Sequence, residues 1–307
     1  MSNSKNNKPD LARRKFLKGL GSLTASAGAV TAATPAWGGN TLSDTFSDFF
    51  QAHYQQMTPE EITETLERIE RKAKRRYNVD INCKNTPAQD GVVFGYALNI
   101  SKCRGYRDCV HACVKENNLS RDTQYIRVLE MPDGSLDLNH ADHYYDATDV
   151  PHEGSYYLPM QCMQCDNPPC VKACPVEATW TEPDGIVVVD YDWCIGCRYC
   201  MTACPYQARH FNWGNPKLPA DEITTETHYL GNRPRPRGVV EKCHFCVQRT
   251  REGNQPACQE ACPTGARIFG NLLDPDSEIR YVLENKAVFR LKEELGTDPK
   301  FWYFRDA

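Results

Sequence analysis

Sixteen of the 307 residues are cysteine, and the spacing of fifteen of them is patterned. Cys194, Cys197, Cys200 and Cys204 are separated by two, two and three residues, and Pro205 follows. Three thiolates this close together wrap one face of a cubane of iron and sulfide, while the fourth points away and serves a neighbouring cluster. The proline stops the short helix that carries the fourth cysteine. Gly196 removes a side chain where the backbone must curl round the sulfides. Cys162, Cys165, Cys170 and Cys174, then Pro175, repeat the run with two extra residues in its middle gap. Reciprocal exchange of the fourth cysteines predicts one [4Fe-4S] cluster on Cys162, Cys165, Cys170 and Cys204. It predicts another on Cys174, Cys194, Cys197 and Cys200.

A further run, Cys243, Cys246, Cys258 and Cys262, ends in Pro263 and has eleven residues between its middle pair. The first run has only Cys103, Cys109 and Cys113, with Tyr106 where the second cysteine is expected and Val114 in place of the proline. The same exchange predicts a third cluster on Cys113, Cys243, Cys246 and Cys258. A fourth falls to Cys103, Cys109 and Cys262, one thiolate short. Four readings of that site stay open: a three-iron cluster, a cubane completed by Cys83, a tyrosine-ligated cluster, or none. The expectation is therefore three [4Fe-4S] clusters and a fourth of uncertain type, [4Fe-4S] or [3Fe-4S].

Other uses of cysteine fit less well. Disulfide scaffolds scatter their cysteines and are much shorter. Zinc accepts four thiolates, but not at this spacing. No C-x-x-C-H haem site occurs. His111 and His244 lie within cysteine runs and read as surface or supporting residues. Lys172, Arg198 and Lys242 stand next to cysteines and read as solvated, with a possible charge effect on a nearby cluster. No phosphate loop and no nucleophile with an orienting base emerges, so no catalytic residue is assigned.

The elements that would position these runs are short. Strands are expected at Tyr96–Ile100, Gln124–Met131, Tyr156–Leu158 and Ile186–Val189. Thr58, Pro59 and Glu61 mark a helix start, and the helix should reach Arg76 with Ile62, Leu66 and Ile69 on one face. Two long insertions, about 119–155 and 214–238, separate the runs, and the second contains GNRPRPRG, expected to be an exposed loop. The tail has a short helix from near Ser277 and an aromatic end, Phe301–Phe304. The insertions and the aromatic end are the candidate docking surfaces. The organisation reads as 1–36 signal, 37–91 extension with a charged helix, 92–273 cluster domain, and 274–307 C-terminal helix and tail.

Residues 1–36 have a paired-arginine start (Arg13, Arg14), a mild apolar middle and small residues before Trp37. This looks like a twin-arginine export signal. The remainder carries 30 basic and 39 acidic residues, which argues against a nucleic-acid partner. No later segment has the roughly 18 apolar residues of a membrane span.

CMQCDNPPCVKACP, CIGCRYCMTACPYQAR and CHFCVQRTREGNQPACQEACPTGA, with FGNLLDPDSEI after them, resemble the iron–sulfur subunits of the dimethyl-sulfoxide, polysulfide and formate-dependent nitrite reductase systems. The resemblance covers roughly residues 92–300. It implies an α+β fold of two ferredoxin-like dicluster halves with four clusters in a line. It implies a non-catalytic electron carrier without a small-molecule substrate of its own. Its partners would be a quinone-reactive membrane subunit and a molybdopterin catalytic subunit or multihaem cytochrome. Its location would be periplasmic, held at the membrane by those partners. Two rivals remain: the beta subunit of a periplasmic hydrogenase or formate dehydrogenase, and an enzyme using an open iron near Tyr106.

Overall fold

Thr58 and Glu61 cap one another: the Glu61 amide donates to Thr58 Oγ1 at 3.3 Å and the Thr58 amide donates to Glu61 Oε2 at 3.0 Å. This reciprocal box, with Pro59 at the first position, starts a 19-residue helix, Pro59–Tyr77. Glu60 and Glu61 in its first turn and Lys74, Arg75 and Arg76 in its last complement the helix dipole, and left-handed Asn78 ends it. Ile69 and Ala73 are its buried residues. The computed structural model describes residues 57–138 and 141–306. The signal-like segment and residues 37–56 lie outside the described residues. The described residues fall within one unit, Phe46–Ala307.

The strands among them are short, as expected for a chain that must keep returning to its cysteines. In chain order they are β1 Asn82–Lys84, β2 Phe94–Asn99, β3 Arg127–Pro132, β4 Ser155–Met160, β5 Thr179–Thr181 and β6 Val187–Val189. There follow β7 His210–Phe211, β8 Glu226–His228, β9 Val240–Glu241, β10 Arg267–Asn271, β11 Val288–Phe289 and β12 Phe301–Phe304. The one four-stranded sheet has the order β10-β2-β12-β11, with β2 and β12 parallel and the other pairs antiparallel. β3–β4, β5–β6 and β7–β9 are antiparallel pairs, and β1 runs parallel to β8.

β2 is buried along its whole length, and its residues alternate between two packing layers. Ala97 joins Ile268, Ile279, Val282 and Phe304 under the helix Glu278–Asn285. Tyr96 and Leu98 face the main core, where the Tyr96 ring stacks on Phe301 with centroids 5.0 Å apart. Two pairs of short helices occupy the cluster-bearing regions. Asp108–Glu116 packs on Ala257–Glu260, and Pro169–Lys172 packs on Tyr199–Ala203. The architecture is α+β, with small strands and short helices in dicluster, ferredoxin-like arrangement.

Two expectations about the surface are corrected. The aromatic end is core: Phe301, Tyr303 and Phe304 are buried in β12, in the interior of the four-stranded sheet. It therefore cannot be a docking surface. The GNRPRPRG segment is also largely buried. Its Arg235 is held by Glu241 at 3.1 Å, donates to the carbonyls of Asn117 and Gly231, and lies over the rings of Tyr125 and Tyr191. A buried carboxylate and two aromatic faces offset the desolvation of the guanidinium and draw the loop inward.

Candidate metal centres

The helix starts place the cysteines. In the run from Cys194, Gly196 and Arg198 adopt left-handed conformations (φ 74° and 66°), and helix Tyr199–Ala203 begins immediately after. In the run from Cys103, Gly105 and Arg107 do the same (φ 81° and 64°) before helix Asp108–Glu116. The two loops are therefore conformational copies, and Tyr106 occupies the turn position of Cys197. The need for glycine at 196 also has a cause beyond the curl itself. A Cβ there would stand 2.2 Å from the carbonyl oxygen of Gly238.

All sixteen cysteines are free thiols. Cys103 is pushed up to about 11 by burial, with the neighbouring Cys109 and Cys262 adding to the rise. Cys113 is raised by burial and by the charges of Cys246, Cys243 and Cys258. Cys165 is pushed up to about 12 by burial, next to Cys162, Cys170 and Cys204. Cys174 is raised by burial and has Cys197 and Cys194 as neighbours, and Cys200 has Cys194 and Cys174. Each of these neighbours belongs to the group that the spacing leads one to expect. Cys262 differs: burial works to raise it, but hydrogen bonds from Thr264 and the Ala266 amide, with the charge of Arg267, hold it below the ordinary thiol value.

Other neighbouring thiols belong to different sets. Cys109 neighbours Cys258, Cys243 neighbours Cys162, and Cys200 neighbours Cys170. With the cysteines grouped as the spacing leads one to expect, these contacts link Cys103/Cys109/Cys262 to Cys113/Cys243/Cys246/Cys258, that group to Cys162/Cys165/Cys170/Cys204, and that in turn to Cys174/Cys194/Cys197/Cys200. Gln164, buried in the loop between Cys162 and Cys165, ties the middle two: its Nε2 donates to the Cys243 carbonyl at 2.8 Å and its Oε1 accepts from the Val187 amide. Among the described residues, no three His, Cys, Asp or Glu side chains converge closely enough to hold a single ion. A lone zinc requires its sulfurs to converge to bonds of about 2.3 Å.

Two features fit a multi-iron cluster. Cavities lie against the sets: one is lined by Cys103, Tyr106, Cys109, Cys262 and Arg267, another by Cys162, Cys165, Cys170, Cys204, Arg209 and Lys242. Buried Arg209 donates from Nη2 to Cys170 Sγ at 3.0 Å and to Thr179 Oγ1 at 2.9 Å, while its Nε and Nη1 have no hydrogen-bond partner in the protein. An orphaned guanidinium beside a thiol cage is satisfied by the sulfides of an anionic cluster. Hydrogen bonds to sulfur recur elsewhere: Tyr96 Oη lies 3.3 Å from Cys258 Sγ, and Asn117 Nδ2 donates to Cys113 and Cys246 at 3.5 and 3.6 Å.

Cys83 does not join the first set. It lies in β1, against β8, with its amide donating to Glu70 at 2.9 Å and with Thr227, Arg233, Glu70 and Asp192 around its thiol. The pairing of β1 with the second insertion carries it away from the cavity that Tyr106 lines. Lys242 is buried, where a solvated side chain was expected, and it donates to the carbonyls of Val187 and Cys243. Lys172 donates to Asn167, and Arg198 lies over Phe211 and Trp213. His244 is no ligand: its Nδ1 accepts from the Val247 amide and its Nε2 faces Arg235. Arg209, Arg267, Asn117 and Tyr96 were missed in the sequence. The signal for the arginines was present, since Cys204-Pro-x-x-Ala-Arg209 recurs as Cys262-Pro-x-x-Ala-Arg267.

A family model described as a 4Fe-4S dicluster domain matches residues 154–235 and 228–272. The chain is 42% identical over 210 residues to a putative dimethyl sulfoxide reductase iron-sulfur subunit of Halobacterium salinarum, covering 68% of this chain and 78% of the relative. It is 39% identical to the iron-sulfur cluster-binding subunit of the menaquinone reductase of Nitratidesulfovibrio vulgaris (69% and 88%). It is 35% identical to one of the chains of the polysulfide reductase of Wolinella succinogenes (68% and 92%). With its cysteines in dicluster runs and these relatives covered over most of their length, this protein belongs to the family of iron–sulfur electron-transfer subunits of respiratory reductases.

Proposed function

We propose that this chain carries electrons along four clusters in the set order given above, within an exported respiratory complex. It would do so between a quinone-reactive membrane subunit and a catalytic molybdopterin subunit or multihaem cytochrome. What supports this reading is that the thiols neighbour one another as the exchanged groups require, with buried cationic groups donating to their sulfurs. When bound, each cluster accepts and releases one electron. Everything else falls to the chain's residues. Cys103, Cys109 and Cys262 would hold a [3Fe-4S] cluster, since Cys83 lies elsewhere. Cys113, Cys243, Cys246 and Cys258; Cys162, Cys165, Cys170 and Cys204; and Cys174, Cys194, Cys197 and Cys200 would each hold a [4Fe-4S] cluster. Tyr96, Asn117 and Arg209 stabilise the electron-rich sulfurs, and the core around the second set excludes water.

The two end sets carry the exposed apolar residues that suit exchange with partners. Tyr106 is 43% exposed beside the first set, and Ile195, Tyr199 and Trp213 are 50%, 63% and 68% exposed around the last. The second set, by contrast, is wholly buried. Among the described residues no helix is long and apolar enough to cross a membrane; membrane association through partner subunits follows from the likeness to the respiratory-reductase subunits. Export by the twin-arginine route rests on Arg13 and Arg14 and the segment after them.

The test is electron flow in the purified, cluster-loaded chain. Reduced chain should pass electrons to an artificial acceptor and should turn over no terminal oxyanion or sulfur substrate without a partner. Tyr106→Cys should preserve that transfer. Turnover of such a substrate by the chain alone, lost in Tyr106→Cys, would instead make the first site an open-iron enzyme.

A further inference from the structure

Seven Lys and Arg side chains are buried among the described residues: Arg209, Arg233, Arg235, Lys242, Arg251, Arg267 and Lys300. Burying a cation is costly unless an anion meets it. Four of the seven are met by carboxylates. Arg233 pairs with Asp192 at 3.5 Å, Arg235 with Glu241 at 3.1 Å, Arg251 with Asp184 at 2.8 Å, and Lys300 with Asp166. The other three are surrounded by thiols, carbonyls and neutral side chains.

Those three stand at the three junctions between successive cysteine sets. Arg267 donates to Cys109 Sγ of the first set at 3.4 Å and reaches Cys258 Sγ of the second at 3.9 Å. Lys242 donates to the Cys243 carbonyl of the second set at 2.6 Å and lines the cavity of the third set beside Cys162 and Cys170. Arg209 donates to Cys170 Sγ of the third set and feels the charge of Cys200 in the fourth. The two arginines come from the same motif position, five residues after the exchanged cysteine. In the run after Cys174 that position is Thr179, which accepts from Arg209 at 2.9 Å. Each half of the molecule therefore supplies one arginine to its own pair of sets, and Lys242 serves the junction between the halves.

We propose that Arg267, Lys242 and Arg209 are positioning residues, one fixed cation per junction, that raise the potentials of the two clusters flanking each and offset the repulsion between them. This rests on the electron-carrier reading. Each transfer moves one electron from a cluster to its neighbour. The donor becomes one charge less negative and the acceptor one charge more, and neither a proton nor the cation moves. A charge lying between the two favours the reduced form of either, and that attraction offsets part of the cost that a reduced neighbour adds.

The experiment is an EPR-monitored redox titration of the anaerobically loaded full chain, wild type against Arg267→Gln, Arg209→Gln and Lys242→Met, with Arg267→Lys and Arg209→Lys as charge-retaining controls. EPR reads only assembled clusters, so partial loss of iron leaves the comparison intact. Arg267→Gln should lower the midpoints of two clusters and Arg209→Gln those of the other two. Lys242→Met should lower one from each pair. The fall should reach tenfold in the reduction equilibrium, about 59 mV for one electron. The lysine controls should stay near wild type. Unmoved midpoints, a uniform shift of all four, or lysine controls that fall with the glutamine variants would overturn the inference while leaving the carrier intact. A wild-type chain that assembles no clusters would overturn both.

Discussion

Tyr106 and Cys83 are the residues on which the cluster count turns. Tyr106 sits in a loop that copies the one bearing Cys197, so substitution by cysteine needs no change of backbone. Tyr106→Cys is expected to raise iron by about one per chain and to remove the oxidised three-iron EPR signal. Cys83→Ala is expected to leave iron content unchanged, because the thiol lies in β1 among Thr227, Arg233 and Glu70. Loss of iron in Cys83→Ala would return that residue to the ligand set. The runs of cysteine and the dicluster family they mark were legible because a cluster imposes its spacing locally along the chain. The place of Cys83 was not, since a parallel pairing of β1 with β8, over 140 residues away, decides it. Arg209 and Arg267 were hidden for a related reason: a repeated motif can be seen in one sequence, but its burial cannot.

The elements divide into those whose local signals decide them and those that tertiary packing decides. Thr58, Pro59 and Glu61 announce the helix Pro59–Tyr77, and the box forms as written. Thr58→Ala should cost about 1 kcal/mol in urea unfolding, with cluster content unaltered. Phe301–Phe304 reads equally well as a sticky surface or a buried strand, since periodicity cannot separate the two. The sheet settles it, with Phe301 stacked on Tyr96 and the Tyr303 hydroxyl donating to the Pro159 carbonyl at 2.9 Å. Phe301→Ala should therefore lower stability by about 3–5 kcal/mol, and a loss under about 1 kcal/mol would place the segment at the surface. The same limit applies to GNRPRPRG. Its prolines and arginines suggest solvent, but Glu241, Tyr125 and Tyr191 lie in other segments and become partners only in the fold.

At the scale of the molecule, buried ionisable groups set a pH window. Burial pushes His210 and His228 each down to about 4, and pushes His244 down with the charge of Arg235 adding to it. All three are neutral in the fold and gain a proton on unfolding below their ordinary value. The contribution of His210 and His228 is complete above about pH 6.5 and is lost as pH falls toward about 4, by up to about 1.4 kcal/mol per unit for each, and His244 acts in the same direction. Urea midpoints followed by circular dichroism should thus be lower near about pH 5 than near about pH 7.5. Equal midpoints would mean that these imidazoles are not desolvated. The central claim, four clusters in succession on this chain, is tested most directly by iron and sulfide content with low-temperature EPR on anaerobically purified protein. The account predicts about fifteen irons per chain and an oxidised three-iron signal that vanishes on reduction, giving way to the signals of interacting cubanes. About sixteen irons without that signal would keep the line and replace the first cluster by a cubane. About twelve or fewer in fully loaded protein would contradict it.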